Sequence, residues 1–204
     1  MLTLAQLSGC ATSPQLPDIE IERLWQQHRQ SLAPQTNWTL AARVAGHNED
    51  DGWSGKLTWI QGGEDYQIHF QAPFGQGAVQ LIGGPAQVEM RSSDGQIMVA
   101  EDAESLLFRQ LGWHMPLKGL RYWVLGLPMP SASEAVGSTG PNDKVAKLEF
   151  DELGHLTRLQ QAQWQVDYSG YRLVGGFMLP RKVYLENDML SLRLVIDRWQ
   201  FSEH

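Results

Sequence analysis

Among 204 residues there is a single cysteine, Cys10, at the end of the stretch "LSGC". A lone thiol forms no internal disulfide, so its chemistry is catalysis, metal binding, plain packing or covalent modification. The other groups that could do chemistry are dispersed. His28, His47, His69, His114 and His155 stand singly, without the spacing that ligates a metal. Glu49–Asp51 offers adjacent carboxylates, but between two strands such a run is a solvated turn. The chain contains no G-x-S-x-G elbow, no H-E-x-x-H helix and no G-x-x-x-x-G-K-S/T phosphate loop. The expectation is therefore no enzyme: no catalytic residue, no metal and no cofactor.

The position of Cys10 favours modification. Leu7-Ser8-Gly9-Cys10 resembles the lipobox of bacterial lipoproteins, where a peptidase cuts before the cysteine and its sulfur takes a diacylglycerol. Small Ser8 and Gly9 suit such a protease site. The alternative is a chance match in a frayed tail. On the lipobox reading, residues 1–9 are the remnant of a signal peptide, 10–17 a lipidated N-terminus and tether, and 18–204 one domain. Met1–Gln6 carries no Lys or Arg and falls short of the usual ~7–15-residue apolar stretch, so the true start is expected upstream.

With 42% hydrophobic residues, the chain can bury one substantial core. A net charge of −7 disfavours nucleic acid and polybasic membrane contact. No run of about 18 apolar residues exists to span a bilayer.

The elements that must position these groups follow from periodicity. Behind the Pro-containing tether, Ile21, Leu24, Trp25, His28 and Leu32 recur at helical spacing from Asp18, and Pro34 ends the run. The pattern then becomes alternation. Leu40, Ala42 and Val44 share one face of a strand; "DDGW" turns the chain into 56–61, with Leu57 expected opposite Thr58 and Trp59. Tyr66, Ile68 and Phe70 line one face of the next strand, and short strands follow over 78–82, 87–91 and 96–99, separated by "GGP" and "SDG". Two helices interrupt: Ala103, Leu106, Leu107 and Leu111 form one stripe ending at Gly112, and Leu117, Leu120 and Val124 another ending at Gly126. After a polar connection, 129–143, strands resume at 146–150, 155–161, 164–168, 181–185 and 190–199. In the last, Leu190, Leu192, Leu194 and Ile196 share a face opposite Arg193. Successive strands with short turns are antiparallel neighbours. The predicted fold is mainly β with capping helices: an incomplete, half-open antiparallel barrel whose concave face the helices plug.

The ordered pieces "LTW", "APFGQG", "SSDG", "AEDAESLL", "LGWHMPLKGLRYWVLGLP", "WQVDYSGY", "LPRKVYL" and "LRLVIDRW" resemble the LolB family of outer-membrane lipoproteins. The resemblance covers most of the chain. It implies a half-barrel enclosing an apolar cavity for acyl chains. It also implies a lipid-anchored protein on the periplasmic face of the outer membrane that takes lipoproteins from the periplasmic carrier LolA and places them in that membrane. The implied partners are LolA, the acyl chains of lipoprotein cargo and outer-membrane phospholipid, with the chain a monomer. In enteric lipoproteins an Asp after the cysteine favours inner-membrane retention; Ala11 stands there instead.

Two sets of residues become candidates. Trp59, Trp123, Trp164 and Trp199 lie in matching segments, and each is read either as cavity lining or as ordinary core. Pro73, Phe74 and Gly75 fall in a turn between strands, where an apolar residue is usually folded back. In the family a protruding hydrophobic residue, typically leucine, occupies this position and acts in membrane insertion, which implies that role for Phe74. Three function classes are weighed: a lipoprotein receptor and insertase, a soluble or anchored lipid-binding carrier or sensor of the same fold, and an anchored hydrolase. The absence of a nucleophile motif speaks against the third.

Overall fold

A computed structural model of the chain describes residues 17–49, 51–75, 77–112, 115–130 and 145–202. Residues 1–9, Cys10, the tether as far as residue 16 and most of the 129–143 connection lie outside the described residues. The elements are α1 (Asp18–Leu32), β1 (Asn37–His47), β2 (Gly52–Gly62), β3 (Asp65–Gln71), β4 (Ala78–Gly83), β5 (Val88–Ser92) and β6 (Ile97–Ala100). They continue with α2 (Ala103–Leu111), α3 (Leu117–Trp123), β7 (Val145–Phe150), β8 (Leu156–Gln161), β9 (Trp164–Ser169), β10 (Arg172–Val174), β11 (Phe177–Leu179), β12 (Lys182–Glu186) and β13 (Ser191–Phe201).

Eleven strands form one antiparallel sheet in the order β6-β5-β4-β3-β2-β1-β13-β12-β9-β8-β7. Local hairpins build each half, and the pairing of β1 with β13 joins the chain's two ends in the centre. Among the described residues β6 and β7 are the two edges, each paired on one side only, so the sheet is an open half-barrel. The small β10–β11 hairpin, absent from the periodicity reading, stands apart from it.

Alternation sets the two faces. Leu40, Ala42 and Val44 of β1 and Leu192, Leu194 and Ile196 of β13 are buried, while Arg43 and Arg193 between them are exposed. On β2 the same alternation corrects one expectation. Leu57 and Trp59 share the inner face, and only Thr58 opposes them, because side chains two residues apart point the same way. β13 breaks parity once. Ala41 pairs with Arg198 but Ala42 with Ile196, leaving Asp197 as an extra residue. The bulge returns Trp199 to the interior, where its ring centroid lies 5.3 Å from that of Trp38. Arg172 of the β10–β11 hairpin donates to the Ile196 and Asp197 carbonyls at 3.1 and 2.9 Å, satisfying backbone that the bulge takes out of the ladder.

Helix α1 closes the other side of the core. Its Trp25 sits 5.3 Å from Phe150, and its His28 meets His155 edge-on at 6.4 Å. His155 stacks on Tyr171 at 4.7 Å and shares a 2.9 Å hydrogen bond between its Nδ1 and Asp151 Oδ2. The helix approaches the β7–β8 turn so closely that a Cβ at Gly154 (φ 75°) would lie 2.7 Å from Leu24 Cβ and 3.1 Å from the Ile21 carbonyl. Burial, and then the neighbouring His155, hold the His28 imidazole below its ordinary range. The unfolded chain then takes up a proton that the folded chain declines. Stability should be full above about pH 6.5 and fall as pH drops through that value toward the lower folded one. Urea midpoints for wild type and His28→Leu across this window check it: equal pH slopes would exclude His28 as the group responsible.

Candidate functional site: an apolar pocket and an exposed apolar tip

The concave face holds a pocket of about 50 Å³ bounded by strands β1–β4 and β13 on one side and by α2, α3 and Met115 on the other. Trp53, Leu57, Trp59, Phe70, Leu107 and Leu120 supply much of its wall, and every lining residue is apolar. Two glycines make room for the aromatic walls. A Cβ at Gly46 would collide with the Trp53 indole and one at Gly55 with the Phe70 ring. The two rings meet edge to face at 5.5 Å.

The covering helices are held at their ends. Asp102 caps α2 by accepting from Ser105 N–H at 2.7 Å, a bond that also lowers its carboxyl pKa, and Gly112 ends the helix in the left-handed region (φ 70°). Behind α3, the Gln161 side chain accepts from Trp123 Nε1 at 3.1 Å and from Met129 N–H at 2.9 Å, and donates to the Met129 carbonyl at 2.7 Å. This amide fastens the chain leaving α3 to β8. Between these anchors, the residues that α2 and α3 turn to the pocket, Leu107, Leu117 and Leu120, are apolar.

Of the four candidate tryptophans, Trp59 stands in the pocket wall, with its Nε1 donating to Gln61 at 2.9 Å. Trp123, Trp164 and Trp199 are buried outside that wall. Trp123 and Trp164 lie 6.2 Å apart, and Trp199 stacks on Phe201. Trp53 escaped the periodicity reading because "DDGW" looks like a turn. The signal was Gly46, its partner across the ladder, whose missing side chain seats the ring.

The second feature is the turn between β3 and β4. Pro73–Gly75 forms a tight turn kinked at Phe74, closed below by an Ala72 N–H to Gly77 carbonyl bond of 3.0 Å. Phe74 at its tip is 99% exposed and adopts φ 56°, ψ 24°. The left-handed region costs a residue with a Cβ about 1–2 kcal/mol, and this ring recovers nothing from packing. Neither packing nor backbone preference within the fold accounts for a phenylalanine here. The arrangement offers a small apolar space between sheet and helices and a presented apolar side chain. Among the described residues no cluster of His, Cys, Asp and Glu could hold a metal, and no helix is long and apolar enough to cross a membrane.

Comparison with known proteins agrees with this architecture. The family model described as outer membrane lipoprotein LolB matches residues 36–199. The outer-membrane lipoprotein LolB of Nitrosococcus oceani is 38% identical over 201 residues, covering 98% of this chain and 94% of the relative. That of Alkalilimnicola ehrlichii is 36% identical over 196 residues, covering 96% and 92%. In fold, the chain is similar to a LolA superfamily protein from Nitrosomonas europaea, with a TM-score of 0.53 at 8% identity over 90% of this chain and 94% of the other.

Proposed function

Because this chain belongs to the LolB family of outer-membrane lipoproteins, we propose that it works as their receptor and insertase. It accepts lipoproteins from the periplasmic carrier LolA, shelters their acyl chains on the concave face and delivers them into the outer membrane. The observation that carries the delivery step is Phe74, an apolar ring presented to solvent on a strained backbone. Burying a phenyl in lipid contributes about 2 kcal/mol, enough for a transient touch. Exchange without a nucleotide follows affinity differences between carrier, pocket and bilayer.

In this reading the protein acts as a monomer at the periplasmic face, anchored through Cys10, with residues 1–9 removed and 10–17 as tether to the 18–204 domain. Stable anchoring takes two or more chains, so the mature protein should begin at Cys10 and carry three. Mass spectrometry of the N-terminus of protein made from the native locus checks this. An intact Met1 with unmodified Cys10 would remove the anchor.

The receptor reading is tested by following a labelled lipoprotein in two separate steps, from loaded carrier to this protein and from this protein to liposomes. Both steps are expected to proceed. Failure of the first would overturn the receptor role. Uptake of acyl chains with no release of cargo would assign the protein to the lipid-binding carriers of the same fold.

A further inference from the structure

The convex side of the sheet, opposite the pocket, carries a second depression. It is a groove of about 680 Å³ whose walls include Arg43, Ser54, Lys56, Gln71, Phe74 and Arg193. Strand pairing gathers the cations: Arg43 of β1 stands across the ladder from Lys56 of β2, and Ala45, two residues on, stands across from Arg193 of β13. No Asp or Glu lines the groove. Asp197 accepts from Arg43 Nε and Nη2, both at 3.1 Å. Lys56 and Arg193 have no ion-pair partner among the described residues. A chain of net charge −7 thus concentrates exposed cations beside the most exposed aromatic ring among the described residues.

We propose that this groove seats the phosphate of a membrane phospholipid headgroup while Phe74 enters the hydrocarbon beneath it. The proposal rests on the membrane-touching reading of Phe74. Apolar tip and cationic groove share a wall, which is the order of a bilayer surface: phosphates outside, acyl chains within. Lys and Arg hydrogen-bond phosphate oxygens with charge assistance. Their attraction to an anionic leaflet acts within a Debye length, so the groove orients the protein only once the tip is near the membrane.

The test uses the full chain with Cys10→Ser, so that no acyl anchor masks weak binding, and measures flotation with two vesicle types of matched acyl chains. One is phosphatidylglycerol; the other is galactosyl diacylglycerol, which has no phosphate. The Lys56→Gln/Arg193→Gln double variant should lose roughly 25-fold in affinity for phosphatidylglycerol, about fivefold per charge, with no change toward the galactolipid. Lys56→Arg should keep the phosphate preference, and Phe74→Glu should weaken binding to both vesicles. A double variant that still prefers phosphatidylglycerol overturns the headgroup site. So does one that binds both vesicles normally but takes cargo poorly from the carrier, which would make the groove a protein-docking face. The preference is a ratio between vesicle types, so it is read independently of the tip. If Phe74→Glu binds both vesicles normally while the double variant loses the preference, the groove stands and the tip reading fails.

Discussion

Phe74→Gly and Phe74→Glu should both stop delivery of cargo to liposomes, and Phe74→Gly should do so while making the protein more stable. Removing about 2 kcal/mol of partition into lipid lowers the population of the membrane-touching state roughly 30-fold. A carboxylate at the tip does worse, since it must be desolvated. Stability moves the other way for glycine. Relief of the left-handed backbone at φ 56° contributes about 1–2 kcal/mol, and the greater freedom of glycine in the unfolded chain takes back about 0.4–1 kcal/mol. A net gain of up to about 1.6 kcal/mol should appear as a raised Tm. Phe74→Glu should leave the fold and receipt from the carrier intact, because the side chain touches little. Phe74→Leu should deliver. The measurements are thermal unfolding and the two-step transfer assay, with loaded protein accumulating in the Gly and Glu variants. Wild-type delivery by Phe74→Gly would show that the ring is no insertion element. Loss of receipt would place the loop at the carrier instead.

The second large effect concerns the pocket. Its volume of about 50 Å³ is far below the ~300–1,000 Å³ of ligand sites. If acyl chains are held here as proposed, α2 and α3 must lift from the sheet to admit one. The contacts they give up across the pocket are apolar, and an acyl chain between helices and sheet replaces them with contacts of the same kind. Filling the space from the half-buried wall residue Leu57 should block that exchange. Leu57→Trp should cost about 1–3 kcal/mol by overpacking yet fold cooperatively, and its affinity for a fluorescent fatty acid should fall at least about tenfold, ~1.4 kcal/mol. Thr58→Trp, one residue on but facing solvent, should bind like wild type. Unchanged binding by a folded Leu57→Trp would move the acyl site elsewhere on the concave face, toward Trp123 and Trp164.

Helix α1, the strands and their turns were legible in the sequence because they are encoded locally. A 3.6-residue stripe ending at Pro34 and two-residue alternation in β1, β3 and β13 need no knowledge of distant partners. The expected helical covering of a half-open sheet followed from the order of those patterns. The β10–β11 hairpin was missed because each strand has three residues, too few to show a period. Trp53 was missed because its seat, Gly46, lies on another strand.

By itself the sequence determined the family, the open antiparallel sheet and the placement of Phe74 at a turn tip, since periodicity, turn chemistry and the order of motifs are properties of the chain read along its length. The tertiary structure alone decided that Phe74 is exposed on a left-handed backbone, that Trp59 faces the pocket while Trp123, Trp164 and Trp199 pack outside it, and that the pocket is small. It also decided that Arg43, Lys56 and Arg193 converge on one groove. The physical reason is common to all of these. Exposure, enclosed volume and charge clustering depend on which residues from distant parts of the chain meet, here through the pairing of β1 with β13 and the parity break at Asp197, and local pattern carries no record of such meetings.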